Sequence, residues 1–158
     1  MVKFRYLFHG TSSIHRASIQ ESGLLPRNGA IHLTTHPKVA LIEAKRTVKG
    51  EGYLPNGYKG GTGGLPLIVA VERSAAVNLR LDALGYYEQL DRTGYRPSEL
   101  RYAFTTSEHI SPASISFIEA DFLAECEKLL NEIEKMIPQH TFGFTIMVDL
   151  VNDRVYRS

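Results

Sequence analysis

The chain has 158 residues, of which 43% are hydrophobic and 22% charged, and its formal net charge is +1. This composition is typical of one folded domain spanning residues 1–158, and it argues against a disordered chain and a strongly basic nucleic-acid groove. No apolar run approaches the ~20 residues of a membrane span, and the first residues lack the apolar core of a secretion signal. We therefore expect a cytoplasmic protein without a membrane partner. Delivery into another cell without a cleaved signal would leave no trace in the sequence.

Short apolar runs predict strands, and apolar residues at helical spacing predict helices. The first strand is expected at Phe4–Phe8, followed by a helix that Ser12 or Ser13 caps and that ends near Ser22, before Gly23. The later predicted elements are, in chain order, a strand at 30–35, a helix from Pro37 to Val48, strands at 65–72, 75–79 and 99–106, a broken strand at 109–120, a helix at 121–136 capped by Asp121, and one or two closing strands. This mixture indicates the α+β class.

The stretch from Gly50 to Gly64 is unusually rich in glycine. Seven of its fifteen residues are glycine, and it lacks the spacing of a phosphate-binding or dinucleotide-binding loop. We expect a long mobile loop that serves either as a surface flap or as a gate for a substrate.

Metal binding is not predicted. The single cysteine, Cys126, allows neither a disulfide nor a multi-cysteine zinc site, and its helical, apolar surroundings predict a buried hydrophobic role. His32 and His36 are four residues apart, but they straddle a strand end and Pro37 and so do not share a helical face. His36 is predicted to start a helix. The remaining histidines, His15, His109 and His140, are expected at surface or structural positions.

Two histidines stand where a ligand site is expected. A glycine at position 10 lets a ligand approach the backbone, whose N–H and C=O suit a carboxamide, and His9 can bond a neighbouring hydroxyl. The alternative is a turn glycine beside an incidental histidine. Ile31 and Leu33 face away from His32 in an alternating strand, so His32 and His9 are expected to line one cleft.

One carboxylate stands at the start of a later strand. Glu99 opens the alternating stretch "ELRYAF". A carboxylate facing a cleft from such a position stabilises positive charge or acts as a base. The alternative is a solvated glutamate at a strand end.

In order and spacing these segments resemble an ADP-ribosyltransferase domain of the H-Y-E type. "YLFHGTSS" resembles an opening strand that ends in His-Gly-Thr, and "GLLPRNGAIHLTTHPKVALIEAKR" resembles the helix end, strand and helix that follow. "LPLIVAVE" and "SELRYAFTTSEHISPASI" are similar to later segments, so the resemblance covers residues 4–118. The pattern is closest to the NAD-binding lobe of RNA 2′-phosphotransferases and to DNA- and drug-modifying ADP-ribosyltransferases. It implies split antiparallel sheets with flanking helices.

The resemblance also implies NAD as co-substrate. His9 would bond a ribose hydroxyl, Gly10 would hold the nicotinamide carboxamide, and His32 replaces the usual nicotinamide-stacking tyrosine. The residues it implies for NAD binding are His9, Gly10, Thr11, His32 and Thr34.

The catalytic residues that the resemblance implies are His9, His32 and Glu99. Glu99 would stabilise the ribosyl cation and activate the acceptor. Glu108 is the alternative acid, because it lies nearer the "ISP" turn.

The implied function is transfer of ADP-ribose from NAD to an acceptor with release of nicotinamide, as in a small bacterial or phage toxin or effector. The alternatives are an RNA 2′-phosphotransferase-like enzyme, an NAD hydrolase, and an inactive module that binds NAD or ADP-ribose. The acceptor stays open among protein, nucleic acid and small molecule. Residues 119–158, a helix plus closing strands, lie outside the resemblance and would complete the core, dimerise or dock a cognate inhibitor protein.

Overall fold

The computed structural model describes residues 5–50, 60–82, 103–136 and 154. These residues form an α+β structure with a six-stranded antiparallel sheet and three α-helices. In chain order the elements are β1 (Tyr6–Ser12), α1 (Arg16–Ser22), β2 (Ile31–Thr34), α2 (Pro37–Lys49), β3 (Pro66–Glu72), β4 (Arg80–Leu81), β5 (Ala103–Thr106), β6 (Ile115–Glu119) and α3 (Ala120–Met136). Short 3₁₀ turns occupy Ser13–His15, Arg73–Ala75 and Pro112–Ser114.

The strand order is β4-β5-β2-β1-β3-β6, and β1 and β2 meet at one point only. β1 pairs with β3 along its whole length, from Tyr6 opposite Glu72 to Ser12 opposite Pro66. Its register with β2 is limited to Phe8 opposite Thr34. The two strands therefore separate after Phe8, and among the described strands only β3 pairs with His9–Ser12.

The prediction that the first strand ends at Phe8 was wrong. The strand continues to Ser12 because β3 offers backbone partners over all seven residues. The central residues of β3, from Leu67 to Val71, are fully buried, as expected for a continuous apolar run covered on both faces.

The core has two clusters, one on each face of the sheet. Tyr6 and Phe8 pack with α2 and α3, whereas the alternate residue Leu7 packs with Ile19 of α1. Cys126 is buried in the first cluster, which confirms its predicted hydrophobic role, and burial raises the pKa of its thiol.

The predicted capping residues are correct at some helix ends and wrong at others. Ser12 caps the 3₁₀ turn that precedes α1, whereas α1 itself follows His15, which makes no side-chain capping bond. α1 ends at Ser22 before Gly23, whose φ is +75°. His36 caps α2 through Nδ1, which accepts from Lys38 N–H at 3.1 Å. Asp121 was wrongly expected to cap the last helix, because α3 follows β6 directly and places Asp121 inside its first turn.

Part of the glycine-rich segment is anchored. Thr62 N–H and Gly63 N–H donate to the carbonyls of Thr47 and Val48 at the end of α2, at 3.0 and 3.2 Å. Ser13 N–H donates to Leu65 O at 2.8 Å. The expectation of an entirely loose loop was therefore wrong for residues 60–64, and residues 51–59 lie outside the described part.

Several other predictions can be compared with the structure. The broken strand is confirmed as a bridge at Ile110, a 3₁₀ turn and β6. The strand predicted at 75–79 is wrong, because a 3₁₀ turn precedes a strand at Arg80–Leu81. Residues 99–102 and the closing strands lie outside the described residues. None of the described helices is long and apolar enough to cross a membrane.

Candidate active site

A cavity of about 600 Å³ lies where β1 and β2 separate. Its walls come from β1, the 3₁₀ turn and α1, the loop before β2, β2 itself, the C-terminal half of α2 and the anchored glycine segment. The missing β1–β2 pairing beyond Phe8 creates this space. In an antiparallel strand the N–H and C=O of alternate residues point to opposite sides, so part of the His9–Ser12 backbone faces the side that lacks a strand.

His9 lies in this cavity with a fixed ring. Its Nδ1 is 2.8 Å from the carbonyl oxygen of His32. Because a carbonyl only accepts, Nδ1 carries the proton and Nε2 of the neutral ring has a free lone pair. Burial, reinforced by the nearby charges of His32, Arg27 and His15, lowers the pKa of His9, although the bond to the His32 carbonyl opposes this. His9 is therefore neutral at pH 7 and accepts a hydrogen bond at Nε2.

His32 reaches the same cavity from β2, so the predicted convergence of the two histidines is observed. Its side chain is 66% exposed, and its Nδ1 is 3.1 Å from Oδ2 of Asp82, whose side chain is only 16% exposed. Sequence reasoning missed Asp82, which directly follows β4. Arg80 and His32 both pair with Thr105 of β5, and only this strand register brings residue 82 close to His32.

Gly10 lines the cavity, as expected for close approach of a ligand. The packing of α2 also requires a glycine at this position. A Cβ atom at this position would overlap Ala40 O and lie 2.8 Å from Ala44 N. α2 thus packs directly on the backbone of β1, and only glycine permits this approach. The residue serves the packing of the helix as well as the wall of the cavity.

The two predicted threonines differ in position. Thr11 is buried and lines the cavity. Thr34 does not line it, and its hydroxyl accepts from His36 N–H at 3.1 Å instead. Of the five residues predicted to bind NAD, the cavity brings together His9, Gly10, Thr11 and His32.

The structure describes one of the two predicted acids. Glu99 lies outside the described residues. Glu108 is exposed and accepts from Asn78 Nδ2 at 3.2 Å, and it does not line the cavity. The carboxylates at or beside the described site are Asp82 and Glu43 of α2, whose Oε1 is buried.

The cavity has an excess of basic side chains. Among the described residues, Arg27 and Arg46 line it together with His9, His15 and His32, and Glu43 is the one acidic side chain. Arg27 lies close enough to His9 and His15 for its charge to lower the pKa of both, although burial is the larger cause for each. Such a site favours an anionic ligand.

Sequence reasoning missed Arg27 and Arg46, and His15, which was expected at a surface or structural position, lines the cavity. Glu43, Arg46 and Thr47 follow the spacing of one helical face, which was a usable indication. Nothing local marks Arg27, because it lies in a turn-rich stretch whose position depends on the fold.

Two other histidines have structural roles, as expected. His36 is buried as the cap of α2, and burial, with a smaller contribution from Lys38, lowers its pKa to about 3. His109 lies 2.6 Å from Ser22 O at the end of α1. In the described ranges, no three His, Cys, Asp or Glu residues are grouped so that they could hold a metal ion.

No protein-family model matches the chain, and no curated protein matches it.

Proposed function

We propose that the protein transfers ADP-ribose from NAD to an acceptor and releases nicotinamide, as an ADP-ribosyltransferase of the H-Y-E type. One observation carries the proposal: His9, Gly10 and His32, which the resemblance assigns to NAD, line one cavity between two separating strands. The described strands form one six-stranded sheet, and the short β1–β2 pairing, which opens that sheet beyond Phe8, is the feature that supports the implied split.

The described residues fit the parts of NAD. Nε2 of neutral His9 would accept from a ribose hydroxyl, and the backbone at Gly10 and Thr11 would meet the carboxamide. Arg27 and Arg46 would face the diphosphate, since guanidinium groups pair well with phosphate oxygens. The cavity thus offers an apolar and hydrogen-bonding end as well as a cationic wall.

The reaction depends mainly on how the protein positions NAD and the acceptor and on how it stabilises the positive charge that develops on the ribose. Cleavage of the bond between nicotinamide and ribose passes through an oxocarbenium-like state, as in glycoside hydrolysis. The protein would hold the nicotinamide, place a carboxylate near the cation and align the acceptor. Glu99 is the proposed carboxylate, and NAD itself supplies the reactive bond.

The first experiment incubates the protein with NAD and with protein, RNA, 2′-phosphorylated RNA and small-molecule acceptors. We expect nicotinamide in the supernatant and a mass gain of one ADP-ribose on an acceptor. Nicotinamide without a mass gain would indicate an NAD hydrolase. Product formed only with 2′-phosphorylated RNA would indicate a phosphotransferase. Thermal stabilisation by NAD without nicotinamide would indicate an inactive binding module.

Glu99→Gln tests the assigned acid. We expect NAD affinity close to that of the wild type and loss of most transfer, because the amide cannot stabilise the cation. Glu119→Gln is the matched control, since it makes the same change at an exposed position outside the cavity. Turnover by Glu99→Gln at the wild-type rate would refute the role of Glu99.

The toxin or effector role and the cognate inhibitor protein stay predictions.

A further inference from the structure

The two cavity histidines are held in the same way. His9 uses Nδ1 to bond the carbonyl of His32, and His32 uses Nδ1 to bond the Asp82 carboxylate. An ionised carboxylate only accepts, so Nδ1 of His32 carries the proton. In the described part of the chain no group bonds Nε2 of His32. Both rings therefore keep Nε2 available in the neutral state.

Asp82 is well placed to fix a ring. Its side chain is 16% exposed, and its backbone N–H donates to Ala103 O at 3.0 Å, which attaches the residue to β5. β5 in turn pairs with β2 at His32, so both partners lie on one rigid sheet. The backbone of Asp82 is therefore attached to the sheet that carries His32.

Stability does not explain this pair. The His32 side chain is 66% exposed, and an exposed ion pair contributes little to folding. Orientation explains it better, because a carboxylate on Nδ1 selects one tautomer and one direction of the imidazole. An oriented imidazole in a cavity is the arrangement of a general base.

We propose that Asp82 is a positioning residue that holds His32 with Nδ1 protonated, so that Nε2 takes a proton from the attacking group. The proposal rests on the proposed function, and it changes the implied roles in one respect: Glu99 stabilises the ribosyl cation, while His32 instead of Glu99 activates the acceptor. As the C–N bond to nicotinamide breaks, its electron pair goes to the ring nitrogen of the leaving group. The acceptor oxygen forms the new bond to the ribose anomeric carbon, and its proton moves to Nε2 of His32. With water as acceptor the products are ADP-ribose, nicotinamide and one proton.

The first test needs no activity. Nitrogen-15 spectra of the wild-type imidazoles, recorded at alkaline pH where histidine is neutral, report which ring nitrogen carries the proton. We expect His32 with a protonated Nδ1 and a bare Nε2. In Asp82→Ala the proton should move largely to Nε2. A wild-type His32 with its proton on Nε2 would overturn the proposal, even if the variant fails to fold.

The second test measures nicotinamide release from NAD with water as acceptor. Asp82→Ala should lose roughly 10²-fold in kcat with little change in KM for NAD, the lower end of what a general base contributes. Glu119→Gln is the control and should keep the wild-type rate. Wild-type kcat in Asp82→Ala would overturn the base role. If release requires one of the acceptors tested above, kcat is compared with that acceptor. If the wild-type protein releases no nicotinamide with water or with any of those acceptors, the proposed function fails together with the base role, while the tautomer still decides whether Asp82 orients His32.

Discussion

At the scale of single residues, His36 is the clearest case of a side chain whose protonation state the fold dictates. It is buried, and its Nδ1 accepts from Lys38 N–H to cap α2. A protonated ring has no lone pair for this bond and would bury a charge. Burial of the ring, with a smaller contribution from the charge of Lys38, lowers the pKa to about 3, and the neutral ring supplies the lone pair for the cap.

This shift predicts acid sensitivity. The folded pKa lies below the ordinary value of 6.5, so the unfolded chain binds the proton first. The contribution of His36 is complete above about pH 6.5 and is lost as the pH falls toward 3, by about 1.4 kcal/mol per pH unit inside this window. His36→Asn keeps a capping oxygen but does not titrate. Denaturant unfolding across that range should show a shallower pH dependence for this variant, and an unchanged slope would contradict the account.

Gly10→Ala should destabilise the protein for steric reasons. The new Cβ would overlap Ala40 O of α2, and two packed elements would have to move apart, at a cost of roughly 1–3 kcal/mol or more. Gly29→Ala is the control: its φ is +82° but nothing lies within 4 Å, so only the backbone penalty of about 1 kcal/mol applies. Free energies of unfolding compare the two, and an equal loss would refute the packing role of Gly10.

At the scale of elements, the end of β1 holds the glycine segment. Ser12 Oγ donates to Gly63 O at 2.5 Å and also accepts from Ile14 N–H. Leu65 N–H donates to Ser13 Oγ at 2.9 Å. The hydroxyl groups of Ser12 and Ser13 thus fix both the start of the 3₁₀ turn and the glycine segment that forms one wall of the cavity.

Ser12→Ala should therefore loosen the anchored segment at residues 60–64. Loss of the cap and the anchor costs about 1 kcal/mol, and protease cleavage there should become several-fold faster. Ser111→Ala removes a similar cap elsewhere, since Ser111 Oγ accepts from Ala113 N–H, and it should leave that cleavage rate unchanged. Limited proteolysis with mass mapping gives both rates. Equal rates in the two variants would show that Ser12 does not anchor the segment.

The loop before β2 supplies the cationic wall through Arg27. If this wall meets the diphosphate, Arg27→Ala should weaken NAD binding by about tenfold, which is about 1.4 kcal/mol, and should reduce its salt dependence. Arg16→Ala is the control, because Arg16 pairs with Glu119 and does not line the cavity. Titration calorimetry at two salt concentrations measures both effects. An unchanged Kd for NAD in Arg27→Ala would show that Arg27 does not contact the diphosphate.

At the scale of the whole molecule, the sequence predicted features that depend on neighbouring residues, such as helix ends and the direction of side chains along a strand. It did not predict features that depend on pairing between distant strands. The end of α1 at Ser22 and the start of α2 at His36 follow from capping chemistry, and the convergence of His9 and His32 followed from strand alternation. The extra length of β1 could not be predicted, because it depends on β3, a partner more than fifty residues away. Asp82 was missed for the same reason, since three strands in register bring it to His32.

The central claim is that NAD binds in the cavity between β1 and β2. Nitrogen-15 imidazole spectra recorded during a titration with NAD test it most directly, because each histidine reports its own surroundings. The account predicts saturable shifts at His9, His15 and His32, with His36 and His109 unchanged. Absence of any shift, or shifts at His109 alone, would contradict it.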